Sequence, residues 1–136
     1  MDNKALEEGK KLALQFEKRG GVLPVAVQNV EDGSVLMLAY ADPAAVRMSL
    51  ESGYAAFYST SRQKSWVKGE TSGNRLAIVE ILVDCDQDAL LYRVRLEGDG
   101  ACHTLGANGK ARYSCFYRRV SSTPHELAFL PEQEKE

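Results

Sequence analysis

Two apolar runs, Leu76 to Val83 (LAIVEILV) and Leu90 to Leu96 (LLYRVRL), flank the segment Asp84-Cys85-Asp86-Gln87-Asp88-Ala89, and this interruption narrows what the chain can fold into. Both runs have strand character. An extended segment alternates its side chains, which predicts Asp84, Asp86 and Asp88 on one side, within roughly 7 Å of each other, and Cys85 on the other. Three like charges that close are tolerated mainly when a cation sits among them. Oxygen donors suit magnesium and a thiolate suits zinc, so one short segment offers ligands to two metals. A solvated surface turn is the competing reading of the aspartates. A calcium loop of the EF-hand kind is rejected: its sixth position would be Ala89 instead of Gly, and its twelfth Arg95 instead of Glu.

At 136 residues, 44% of them apolar and 26% charged, the chain has the size and composition of one soluble domain spanning 1–136. Its net charge of -2 provides no basic field to collect nucleic acid. No apolar run approaches the ~20 residues of a membrane helix. Met1 to Lys11 is charged and lacks the apolar centre of a signal peptide, so a cytoplasmic location is expected. The three cysteines, Cys85, Cys102 and Cys115, are an odd number and argue against a disulfide framework. They are either small buried apolar residues or metal ligands.

Ala5, Leu12 and Phe16 form an apolar stripe that predicts an amphipathic helix over the first 20 residues, stopped by Gly20-Gly21. Val22 to Val30 and Val35 to Tyr40 read as a hairpin across Asp32-Gly33. Asp42-Pro43 starts a second helix, which Gly53 ends. Further strands are expected at Ala55 to Thr60 and Tyr113 to Val120, and a mobile tail over 124–136. The expected fold is α+β, mainly antiparallel sheet with two helices.

Ser59 to Gly73 gathers Arg62, Lys64 and Lys68 with Thr71, Ser72 and other hydroxyls, a composition poor for a core and suited to an anion. Trp66 either stacks on a base or covers the core. Glu70 is a general base or an ion-pair partner. Cys102-His103-Thr104 and Ser114-Cys115-Phe116 bring the other thiols, thirteen positions apart and not in a C-x-x-C knuckle. His103 is a donor to a neighbouring ligand, a proton carrier or a structural histidine.

SRQKSWVKGETSGN, VDCDQDALL, ACHT and SCFYRR, in this order between Ser61 and Arg119, together with VLMLAYADPAAV upstream, resemble the phosphoribosyl-AMP cyclohydrolase family. The resemblance covers about residues 21–119. It implies hydrolytic opening of the N1–C6 bond of the adenine ring of N1-(5-phosphoribosyl)-AMP, a step of histidine biosynthesis. It also implies an interlocked homodimer, with magnesium on Asp84, Asp86 and Asp88. Zinc, one per chain, would lie on Cys85, Cys102 and Cys115 with ligands shared between subunits. The substrate's phosphates would call on Arg62, Lys64, Lys68, Arg118 and Arg119, with Trp66, Thr71 and Ser72 beside them, and His103 and Glu70 as proton carriers. The spacing between Cys102 and Cys115 is longer than the family's usual one. A base deaminase is disfavoured, because no cysteine here follows a proline. The alternative class is a non-catalytic zinc-stabilised module or thiol redox sensor, which leaves the aspartates and the cationic Trp66 segment unused.

Overall fold

The apolar stripe of the first 20 residues does not carry one helix through to Gly20. In the computed structural model, which describes residues 2–123 and 125–131, α1 spans only Asn3–Glu8, capped by the Asp2 carboxylate on the Ala5 amide. The chain then runs without regular structure to a single 3₁₀ turn, Glu17–Arg19. Its polar groups are taken up by Gln87, far along the sequence. The Gln87 Oε1 accepts from the Ala13 amide at 2.7 Å, and its Nε2 donates to the carbonyls of Leu6 and Lys11, each at 3.2 Å. The Gln15 amide donates to the Gln87 carbonyl at 2.8 Å. A tertiary partner thus replaces the helix's own hydrogen bonds, and helical propensity is overridden.

Leu23–Asn29 forms β1, with Leu23, Val25, Val27 and Asn29 buried at alternate positions. It returns through the Asp32-Gly33 turn into β2, Val35–Ala41, antiparallel to it. Helix α2, Pro43–Ser52, begins where the Asp42 carboxylate accepts from the Ala45 amide at 2.8 Å. Ala56–Ser59 (β3) pairs with Lys64–Val67 (β4), a strand not anticipated from sequence, to give a separate hairpin. Arg75–Val83 (β5) and Leu90–Glu97 (β6) flank the aspartate segment as expected and pair antiparallel.

The main sheet has the order β2-β1-β6-β5. The β1–β6 pair is parallel, so the mainly antiparallel fold contains one parallel seam at its centre. Only Arg118–Val120 (β7) of the strand expected from Tyr113 onward is regular, and it pairs with Leu127–Phe129 (β8). Residues 113–117 turn away because their polar groups serve other partners, described below. Of the expected mobile tail 124–136, only 125–131 are described, and β8 lies there; Pro124 and 132–136 fall outside the described residues.

Val25, Val27, Leu36, Phe57, Leu76, Tyr92 and Val94 are fully buried between the sheet, α2 and the β3–β4 hairpin. Each buried aliphatic or phenylalanine side chain contributes about 1.5–3 kcal/mol. Phe57 links the layers, stacked on Tyr92 at 5.8 Å and tilted against Trp66 at 6.1 Å. Trp66 is therefore partly core. Among the described residues no helix is long and apolar enough to cross a membrane.

Gln87 has a left-handed backbone (φ 58), a conformation glycine adopts without strain. Gln87→Gly therefore removes the side chain's three hydrogen bonds while easing the backbone. The expected result is hydrogen exchange at Ala13 about tenfold faster or more, as for the loss of one to two net hydrogen bonds. The unfolding midpoint of the core should stay close to that of the unmodified chain.

Candidate active site

The aspartate segment is a turn, not the extended run that alternation predicted. Gln87 donates its amide to the Asp84 carbonyl, and the left-handed Gln87 reverses the chain. The Asp84 carboxylate then accepts from the amides of Asp88 at 2.9 Å and Ala89 at 3.1 Å. This brings one carboxylate oxygen each from Asp84, Asp86 and Asp88 within 4.8 Å of one another, close enough to ligate a single ion. The donors are all hard oxygens, which fits magnesium.

Nor are the three charges uncompensated. Lys18 Nζ lies 2.9 Å from Asp86 Oδ2 and 3.0 Å from Asp88 Oδ2, and Arg19 reaches Asp88 Oδ2 at 3.0 Å. Lys18 above all holds the Asp88 carboxyl well below the usual carboxylate range. Asp84 shifts the other way, raised chiefly by desolvation. Sequence reading missed both basic residues. Lys18-Arg19 looks like the end of a helix, and nothing local marks a partner about seventy positions away.

The thiols divide into a pair and a single. Ala101 and Cys102 donate their amides to the carbonyls of Tyr113 and Arg112, which sets Cys102 beside the chain that leads to Cys115. Gly100 permits this approach: a Cβ there would stand 2.1 Å from the Arg112 carbonyl oxygen. The residues between the two cysteines close on themselves as a small hairpin, with Leu105 bridged to Ala111 and Gly106 donating to Lys110. Beyond that hairpin the chain returns to Cys115, whose thiol and that of Cys102 are near enough to perturb each other's ionisation. Ser114 Oγ donates to the Val35 carbonyl at 2.8 Å, and the Cys115 amide to the Leu36 carbonyl at 2.7 Å, so β2 seats Cys115.

Burial alone would raise the Cys102 thiol, but the Thr104 hydroxyl (2.9 Å) and amide, with Arg112 nearby, bring it below the ordinary cysteine value. Cys115 is open to solvent on one side. The protein packed on its other side, then the Cys102 sulfur, push its thiol up to about 11, against a smaller opposing effect of Lys68. Two soft donors of unlike proton affinity suit a zinc that replaces the protons. Cys85 is exposed at the aspartate turn, in a 270 Å³ cleft bordered by Leu6, Lys11, Asp84 and Gln87. Among the described residues only the aspartates gather three or more metal donors, so within one chain Cys85 does not join Cys102 and Cys115.

The cationic segment folds into a cleft of 390 Å³ lined by Arg62, Lys64, Trp66, Lys68, Glu70, Thr71 and Ser72. Pairing of β3 with β4 aligns Phe57 with Trp66 and leaves the loop cations at the rim. The Ser65 hydroxyl donates to Asp42 at 2.8 Å, tying this strand to the α2 cap. Gly69 turns the chain back where a Cβ would meet the Asn74 carbonyl at 2.3 Å. The Arg62 guanidinium covers Trp66, 5.2 Å from the ring centroid. Arg118 and Arg119 do not line this cleft; they stand on β7, Arg118 over Tyr117 at 5.1 Å. His103 is exposed in the turn after Cys102.

A family model described as phosphoribosyl-AMP cyclohydrolase matches residues 37–117. A curated protein of that name from Archaeoglobus fulgidus is 50% identical over 109 residues, which cover 80% of this chain and 94% of the relative. One from Brucella anthropi is 47% identical over 132 residues, 96% of this chain and 89% of the relative. Another, from Brucella canis, is 44% identical over 128 residues, with 93% and 87% covered. The matched region contains the cleft, the aspartate turn and all three cysteines.

One further contact supports the thiol pair from a distance. The Tyr113 hydroxyl donates to Asp32 and accepts from Asn29 Nδ2 at 2.8 Å, which clamps the approach to Cys115 onto the β1–β2 turn. The Tyr113 hydrogen bond, ahead of the Ser34 amide, holds the Asp32 carboxyl below its ordinary value. A depressed carboxyl stabilises the fold above its unfolded pKa and loses that contribution as pH falls through the folded one. Asp32→Asn should therefore cost about 1 kcal/mol at pH 7, discounted for exposure. Urea titrations of both proteins should converge as pH drops below the ordinary carboxylate range.

Proposed function

This chain belongs to the phosphoribosyl-AMP cyclohydrolase family, and on that basis we propose that it hydrolyses the N1–C6 bond of the adenine ring of N1-(5-phosphoribosyl)-AMP in histidine biosynthesis. In this reaction water oxygen bonds to C6, the N1–C6 bond breaks, and N1 leaves with a proton. C6 and its amino group become a carboxamide. The observation that carries the reading is the family match, whose region contains the cationic cleft together with the aspartates and the cysteines; Lys68 of that cleft also acts weakly on the Cys115 thiol. A nucleotide whose phosphate lies among Arg62, Lys64 and Lys68 would thus present its base toward the thiol pair.

Cys102 and Cys115 would hold zinc together with Cys85 of the partner subunit. Asp84, Asp86 and Asp88 would hold magnesium. When bound, zinc supplies a Lewis acid that activates water near neutral pH, and magnesium supplies positive charge for phosphate. Trp66 offers its exposed edge to the base, and Thr71 and Ser72 offer hydroxyl donors to the phosphate. Arg118 and Arg119 remain available to the substrate's second phosphate end. Glu70 in the cleft and His103 beside Cys102 are the two candidates to take a proton from water and return one to N1.

A homodimer is favoured by the edge strand β5, which leaves Val79, Leu82 and Val83 at 45%, 43% and 43% exposure, immediately before Cys85. An apolar edge of this kind is normally covered. A second copy laid on it would carry its own Cys102 and Cys115 to Cys85. Such an enzyme works in the cytoplasm, with no nucleic-acid partner.

The direct test is conversion of N1-(5-phosphoribosyl)-AMP by the purified chain, with zinc content measured in parallel; no turnover by zinc-replete protein would refute the assignment. Sharing of the site between chains is read from two inactive variants, Cys85→Ala and Cys102→Ala, unfolded and refolded together. Random pairing makes half the dimers mixed, each with one intact site, so about a quarter of the activity should return. No recovery, with mixed dimers present, would mean that the ligands come from one chain. Glu70→Gln and His103→Asn separate the proton carriers: loss of the true one should lower kcat about 10²-fold and flatten one limb of the pH–rate profile.

A further inference from the structure

We propose that Lys18 is a built-in competitor at the aspartate cluster: its ammonium bridges Asp86 and Asp88 where a divalent cation would bind, and the cation must displace it. The inference rests on the reading of Asp84, Asp86 and Asp88 as a cation site. An ion bound to all three carboxylates would sit about 2.0–2.6 Å from each oxygen. Lys18 Nζ is 2.9 and 3.0 Å from oxygens of two of them. The ammonium and the ion would then stand within about 6 Å of each other, inside the ~8 Å screening length of physiological salt. Both cannot be held at full strength.

An isolated surface ion pair would carry no such meaning. Here the placement is built by the same turn that builds the cluster. Gln87, between Asp86 and Asp88, fastens the N-terminal arm through Leu6, Lys11, Ala13 and Gln15, and the arm delivers Lys18 to those two carboxylates. These Gln87 hydrogen bonds involve none of the three carboxylates and keep the arm docked when Lys18 leaves. The Lys18 side chain is 50% exposed and its four-carbon stem is flexible, so it can retreat into water without disturbing the core. Competition of this kind has two effects. It relieves repulsion among the carboxylates before an ion arrives, and it weakens the ion's affinity by the free energy needed to separate the ammonium from Asp86 and Asp88.

The test is Mn²⁺ titration of the full-length chain, followed by electron paramagnetic resonance, in the unmodified protein, Lys18→Met and Asp86→Asn. Lys18→Met keeps the stem and removes the charge, and should bind Mn²⁺ roughly 5-fold more tightly or better, the lower end of common couplings between ligands. Equal or weaker binding by Lys18→Met, with Asp86→Asn still impaired, would overturn the role of Lys18 and leave the cation site standing. If the unmodified chain fails to bind, or Asp86→Asn binds as it does, the cation site and this inference fall together. A second readout needs no variant and decides alone if Lys18→Met does not fold. Acetic anhydride labelling of Lys18, measured by mass spectrometry against Lys4, should rise on saturation with Mn²⁺. An unchanged rate would overturn the proposal.

Discussion

The Asp84 carboxylate, accepting from the amides of Asp88 and Ala89, closes the turn between β5 and β6. Several features that matter to function follow from it. The turn draws the three carboxylates together, leaves Cys85 facing outward, and puts Gln87 into a left-handed conformation from which its side chain reaches the N-terminal arm. A carboxylate is suited to this position because it can accept two amides at once and keep an oxygen toward its neighbours. Desolvation raises Asp84 while Lys18 lowers Asp88, so neighbouring carboxylates differ in proton affinity although their side chains are identical.

The thiol pair is organised by a different device, a set of main-chain bonds from the hairpin of β1 and β2. Val35 and Leu36 offer carbonyls to Ser114 and Cys115, and Tyr113 is held by Asn29 and Asp32. Leu36 and Asn29 among these groups are buried, so the chain leading to Cys115 is tied to the core at two points. The residues between Cys102 and Cys115 leave this arrangement undisturbed. Residues 105–111 form their own hairpin, and the amides of 101–102 are joined to the carbonyls of 112–113. A site intended to replace protons by a metal gains from such rigidity, since little ordering is left to be done on binding.

The cationic cleft lies on a hairpin separate from the main sheet. Trp66 joins it to the core through Phe57 and Tyr92, and Ser65 joins it to the cap of α2 through Asp42. The cations that line it are thereby mounted on a strand fixed to the core, with Arg62 laid over Trp66. Lys68 belongs to the cleft lining and also has a minor lowering effect on the Cys115 thiol.

The sequence by itself determined whatever rests on short-range chemistry. The hairpin at Asp32-Gly33, the Asp42-Pro43 helix start, the two strands beside the aspartates and the grouping of Arg62, Lys64 and Lys68 each depend on residues a few positions apart. All four are where local rules place them. The motifs between Ser61 and Arg119 were likewise specific enough to indicate the family. Only the tertiary structure decided the rest. The first helix stops at Glu8 because Gln87 captures the arm that follows, and the carboxylates are neutralised because that arm carries Lys18 and Arg19. Tyr113 to Tyr117 is not strand because its amides and hydroxyls bind the first hairpin. In each case the partner lies some seventy to eighty positions away, and a hydrogen bond or ion pair formed across that distance leaves no trace in local periodicity. It exists only once burial of Val25, Val27, Tyr92 and Val94 has brought β1 and β6 side by side.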